Sequence, residues 1–288
     1  MSGPIPAWVL SALAAATLFT VMSSVGLGIA LGDLRVVWQR PGLLLRGLLA
    51  TLVAVPVIAV GITRTLGLPR PSEIGVVLMS IAPGAPLAIR NALGAGGHRG
   101  FAPTLQIAVA LLAAVSMPLS IAVLDRVYAG AAHITPWQVA KQVCVAQLVP
   151  LAIGIAVRRV REALALRLEQ PLARLGNGLL LLLAAAAIVD VWDVIVAGLP
   201  GLAAAVVLTT GAALAVGHAL GGPEASTRTA VAVTAATRNA GLALLVATLN
   251  AASPAIQGTV LAYIVYALPL ILAYLVWRRV GARAASAA

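Results

Sequence analysis

Arg238 makes the strongest demand on its surroundings of any residue in the chain, because it lies in the apolar stretch TAATRNAGLALLVATL (residues 234–249). A guanidinium at that depth in a membrane span costs at least about 2.5–3.5 kcal/mol on insertion scales, so it has to face the protein interior, paired or wet. Its planar fork suits carboxylate, sulfonate or phosphate groups. Thr234, Thr237 and Asn239 supply small polar groups beside it, and Gly241 follows. A second Arg-Asn pair, Arg90-Asn91, lies 148 residues earlier, just after Pro83, Gly84 and Pro86. Acids within spans are confined to Asp190 and Asp193, whose spacing puts them on one helix face near its outer end. They are candidates for proton coupling, although carboxylates at a helix end are more often simply solvated. Thr104, Gln106 and Ser116 are candidate cavity-lining residues in the helix after the first Arg-Asn pair. Other chemistry finds little footing. His98, His133 and His218 have no ligand spacing, Cys144 is a single cysteine, and no Ser-His pairing or metal-ligand cluster is evident. The expectation is a non-enzyme with no cofactor and no metal.

The elements that hold these residues follow from composition. Hydrophobic residues make up 61% of the 288 and charged residues 9%, with a mean hydropathy of +1.05. Apolar runs of roughly 20 residues suit α-helices crossing a hydrocarbon core, not alternating barrel strands. The fold class expected is an all-α polytopic membrane protein. Breaks at charged, proline-rich or glycine-rich points divide the chain into nine spans, at about 7–31, 42–62, 73–95, 103–124, 136–157, 175–196, 199–220, 229–249 and 255–277. The first run has no basic leader and no convincing cleavage site, so it is read as a permanent span.

A net charge of +11 would suggest nucleic acid in a soluble domain. Here the basic residues lie mostly between spans and report topology instead, so no nucleic-acid partner is expected. Twelve arginines collect on one side, four basic residues on the other, and Arg46, Arg90 and Arg238 fall inside spans. The positive-inside rule places the N-terminus outside and the C-terminus in the cytoplasm, in a plasma or bacterial inner membrane. The stretch RRVREALALRLEQPLAR (residues 158–174) reads as a cytoplasmic amphipathic linker in contact with lipid headgroups.

Pro83, Gly84 and Pro86 fall in the middle of the third span, where two missing N–H donors and a glycine argue against a continuous helix. Unwound backbone at membrane depth survives only when buried in protein or lining a cavity. Five spans lead from the third to the eighth, so the two run antiparallel, as corresponding helices of an inverted repeat do. The chain is read as one transporter domain, with a first repeat over about 7–127 and a second over about 136–281.

These stretches resemble the bile acid:sodium symporter family over nearly the whole chain. VGLGIALGDLRVVWQRPGLLLRGLLATLVAVPVIAV looks like the family's first amphipathic loop and following helix, and IAPGAPLAIRNALGAGG resembles its Pro-Gly-Gly crossing helix. LQIAVALLAAVSMPLSI resembles the Pro-Leu-ending helix after it, QLVPLAIGIAVRRV the linker-side helix, and RTAVAVTAATRNAGLALLV the second crossing helix. The resemblance implies inverted repeats of five spans, with the first span of ten absent. In sodium-coupled members Ser and Asn of the first crossing helix help bind sodium; here those positions are Ala88 and Ile89. The Glu and Gln ligands of the second crossing helix correspond to Thr234 and Arg238. Hard-cation sites need converging oxygens, so the usual sodium sites look dismantled.

The expected function is therefore secondary active transport of a small organic anion by alternating access. Pro83, Gly84, Pro86, Arg90, Asn91, Thr234, Thr237, Arg238 and Asn239 form the crossing or substrate region. Membrane lipid and a small anionic substrate are the expected partners, with sodium or a proton as candidate coupling ion. The alternatives are a sodium-coupled symporter with displaced ion sites, and a receptor, scaffold or channel without a transport cycle.

Overall fold

The computed structural model describes residues 5–29, 39–85, 87–127, 135–190, 200–250 and 252–287, and every regular element among them is helical. In chain order they are α1 (Ala7–Gly28), α2 (Pro41–Leu49), α3 (Val55–Thr65), α4 (Arg70–Ile81), α5 (Leu87–Gly94), α6 (Phe101–Val127) and α7 (Pro136–Val143). There follow α8 (Val149–Val160), α9 (Glu162–Asp190), α10 (Pro200–Leu220), α11 (Ala225–Ala236), α12 (Ala240–Leu249) and α13 (Pro254–Ala287). Two π-helical turns, Ala50–Ala54 and Cys144–Leu148, join α2 to α3 and α7 to α8 without a loop. Cys144 is half-buried in the second of them.

Seven described helical stretches are long and apolar enough to cross a membrane. The third of the nine expected spans is not among them, because it is divided between α4 and α5, of 12 and 8 residues. The sixth forms the C-terminal part of the 29-residue α9 and runs out of the described residues at 191. The expected linker at 158–174 is not a separate element either: apart from a single non-helical residue, Arg161, it is the end of α8 and the beginning of α9. An amphipathic run continuous with an apolar one prolongs a helix at no cost, so alternating charge there marks a helix face and no break.

The helices pack as two groups. α1 lies against α8 and α9, while α4, α10 and α13 pack with one another and with α3 and α11. Gly26 of α1 and Gly154 of α8 meet backbone to backbone: a Cβ on Gly26 would stand 2.9 Å from the Gly154 Cα. Without a hydrophobic driving force between helices in lipid, such small-residue contacts carry the association. The stretch Ala225–Leu249, made of α11 and α12, is enclosed by the others: 94% of its apolar window is buried in protein, against 28–44% in the other six spans. Protein, not lipid, is its solvent, which lets it depart from regular helix in the middle.

Candidate functional site

The departure lies at residues 237–239, between α11 and α12, and it faces the other break, at residues 82–85 between α4 and α5. The two unwound segments pair antiparallel: Ala85 N donates to Thr237 O at 3.3 Å and Asn239 N donates to Ala82 O at 3.1 Å. Each break so satisfies backbone groups that the other exposes. Gly84 holds φ at +61°, where a side chain is strained, and a Cβ there would stand 2.6 Å from Val109 Cγ1. Asn239 starts α12 as its N-cap, its Oδ1 accepting from Leu242 N at 3.1 Å. Pro86 lies outside the described residues.

Arg238 sits at this junction, 6% exposed. Its Nη1 donates to Ser80 O at 2.9 Å and to Thr51 O at 3.0 Å. Both oxygens lack helical partners for a stated reason. Ser80 is in the last turn of α4, where carbonyls have no intrahelical donor and the helix dipole is negative. Thr51 lies in the first π-turn, where Val55 N reaches back to Ala50 O; in the same register Thr51 would be served by residue 56, which is a proline. The guanidinium thus closes the ends of two interrupted helices. Its Nε and Nη2 are buried and, among the described residues, meet no hydrogen-bond partner and enter no ion pair.

Arg238, Thr237, Asn239 and Asn91 line a cavity of about 250 Å³ between the crossing segments and helices α1, α9 and α13. Most of its wall is apolar, with Leu18, Val21, Met79 and Leu180 among it. Leu87 of α5 and Ala240 of α12 also line it, so the N-terminal ends of two half-helices border the cavity beside the guanidinium. A second cavity, of about 430 Å³, shares Val21, Leu87 and Asn177 with the first and is lined by Arg90 and Glu169.

The residues singled out from sequence divide accordingly. Pro83 and Gly84 form the first break, and Thr237, Arg238 and Asn239 the second. Thr234 is buried in α11 one turn before the break and does not line the cavity. The two Arg-Asn pairs part company. Asn91 faces the cavity with Arg238, whereas Arg90, on the exposed side of α5, faces the second cavity. Thr104, Gln106 and Ser116 line neither cavity; Gln106 packs against the break from behind. Gln106 Nε2 donates to Gly84 O at 2.6 Å, and Thr104 Oγ1 donates to Gly100 O within its own turn. Asp190 ends α9 seven residues beyond the lining Leu183, about 10 Å along the helix axis. Asp193 lies outside the described residues. Sequence reading missed Gln147, in the second π-turn, whose Oε1 accepts from Asn239 Nδ2 at 3.4 Å while its Nε2 donates to Ala110 O at 2.8 Å. It also missed Tyr263 and Asn177 in the cavity wall. A polar residue within an apolar span was the available signal for each.

No curated protein matches this chain. The profile of the sodium bile acid symporter family matches residues 15–198, more than half of the sequence. The matched stretch takes in the first break, both π-turns and all of α9, and stops short of Arg238. With that match laid over a helical membrane fold, the chain belongs to the sodium bile acid symporter family.

Proposed function

We propose that the chain carries a small organic anion across the membrane by alternating access, with Arg238 as the anchor of the anion. The observation that carries this reading is the free Nε and Nη2 of a buried guanidinium bordering a mostly apolar cavity. The N-terminal ends of α5 and α12 add positive partial charge at the same cavity. Internal similarity supports an inverted repeat: Pro103 and Pro118 in α6 are matched by Pro254 and Pro269 in α13, with Gln106 and Gln257 third after the first proline of each pair. α1, α8 and α9 would then form the panel against which the remaining helices move. The distribution of arginines puts the N-terminus outside and the C-terminus in the cytoplasm of a plasma or bacterial inner membrane.

Sodium is dispensable on this reading. The positions the family uses for sodium carry Ala88, Ile89, Thr234 and Arg238. The carbonyls of Thr51, Ser80, Ala82, Gly84 and Thr237, which a hard cation would seek, already accept N–H bonds from the protein. A second reading, a sodium-coupled symporter with displaced sites, is favoured by the family itself and by the buried, unpartnered Gln106 Oε1 and Thr237 Oγ1. Uptake of a panel of small organic anions into proteoliposomes, with and without a sodium gradient, separates the two. The expected result is uptake that ignores sodium and is lost in Arg238→Ala. Strict sodium dependence would establish the second reading, and undiminished uptake by the variant would remove Arg238 from the site.

A further inference from the structure

The donors left over on Arg238 are not an arbitrary pair. Nε and Nη2 share one edge of the guanidinium, the edge that grips a carboxylate or sulfonate side-on through two parallel bonds, while Nη1 is committed to Thr51 and Ser80. The partner that completes this ion pair is the cargo itself, which rests on the function proposed above. With cargo bound, the fixed positive charge is neutralised. Without it, the guanidinium faces a wall of Leu18, Val21, Met79 and Leu180. Water entering from an open side can hydrate it there. Between the two facings the cavity must close and shed that water, which leaves a buried charge with no counter-ion and with its Nε and Nη2 donors unmet, a costly state. A carrier that draws its positive charge from a dissolved cation releases cation and cargo together and returns neutral; a covalently held arginine cannot leave.

We infer that this chain is an obligate exchanger, whose site crosses the membrane only with an anion bound, so that an anion entering on one side is matched by one leaving on the other. A one-for-one swap of monoanions moves no net charge, so membrane potential does not drive it. Suitable probes are labelled 4-methyl-2-oxopentanoate and benzenesulfonate, which are ionised at neutral pH, cross lipid slowly and pair a planar or trigonal anionic head with an apolar body.

The full chain is reconstituted into liposomes holding either the unlabelled anion or buffer alone, and initial uptake is followed at imposed potentials of both signs. Binding of the same anions to the detergent-solubilised protein is measured alongside, through the shift in melting temperature. Internal anion is expected to speed uptake about tenfold or more, the equivalent of about 1.4 kcal/mol on the return step, with no response to potential. Equal uptake into loaded and empty vesicles, with binding intact, overturns exchange and leaves the anion anchor standing. Failure of the wild type to bind either anion, or undiminished binding by Arg238→Gln, overturns the anchor and exchange together. If Arg238→Gln does not fold, Arg238→Lys takes its place: it keeps the charge but offers no planar fork, so weaker binding with the requirement for internal anion retained supports the inference, and unchanged binding overturns it.

Discussion

An arginine placed among apolar helices is tolerable only if its surroundings return what desolvation takes away, and here carbonyl oxygens do so for one of its three nitrogens, Nη1. Two hydrogen bonds from a charged donor, to Thr51 and Ser80, are worth about 1.5–3 kcal/mol each, comparable with the cost of placing the side chain at membrane depth. Gln106 plays a matching, uncharged part at the other break, where its Nε2 serves Gly84 O. Replacing it with leucine keeps the volume and removes the donor, leaving a buried carbonyl unmet at a cost of about 1–3 kcal/mol. Gln106→Leu is therefore expected to melt several degrees lower than wild type in detergent while retaining affinity for benzenesulfonate, because Gln106 does not line the cavity. A variant that melts like wild type but has lost anion binding would place Gln106 in the site and out of the scaffold.

Among the elements, the first π-turn does the most to shape the site. Pro56 withholds an N–H from Thr51 O, and Arg238 takes the vacancy. Pro56→Ala would restore that donor, or let the helix return to α register; either way Arg238 loses one of its two holds. The melting temperature is expected to stay level or rise, as it does when an interior proline is removed from a helix, while anion affinity falls about three- to tenfold because a loosened guanidinium is no longer pre-oriented. A lowered melting temperature with affinity unchanged would count against this account.

How much was legible beforehand can be judged on the same elements. The break at Pro83-Gly84 was readable because proline and glycine act on the backbone directly. The break at 237–239 has no proline, and polar residues around Arg238 were its only sign. The part played by Thr51 was invisible, since a backbone carbonyl has no residue type, and Val-Pro within an apolar run points to a distortion without saying what fills it. Sequence periodicity does not say which face of α6 meets the break, so it does not distinguish a Gln106 that lines the cavity from one that packs behind the break.

For the whole molecule, the consequence is one of linkage. Two groups of helices, α1 with α8 and α9 against the rest, meet across the cavity; Gln147, in the π-turn that leads into α8, is tied to Asn239, and within the rest Gln142 of α7 is tied to Asn250 at 2.9 Å. Any ion that bound this folded arrangement and not the unfolded chain would stabilise it by RT ln(1 + [L]/Kd), about 2.7 kcal/mol at a hundred times Kd. A carrier that needs sodium to draw its crossing segments together should thus melt higher in sodium than in choline at equal ionic strength. This chain has Gln106 already bonded to a carbonyl of the first break, and Arg238 to the carbonyls at the end of α4 and in the first π-turn. Its melting temperature is expected to be the same in the two salts and to rise only when a small organic anion is added, with the rise abolished in Arg238→Gln. A sodium-specific increase in the absence of any organic anion would mean that a cation site persists, with Gln106 Oε1 and Thr237 Oγ1 as its first candidate ligands, since both are buried oxygens that no donor among the described residues meets. Sodium would then act before the anion, drawing the crossing segments together ahead of cargo binding, and Arg238 would hold the fold together without taking the place of the ion.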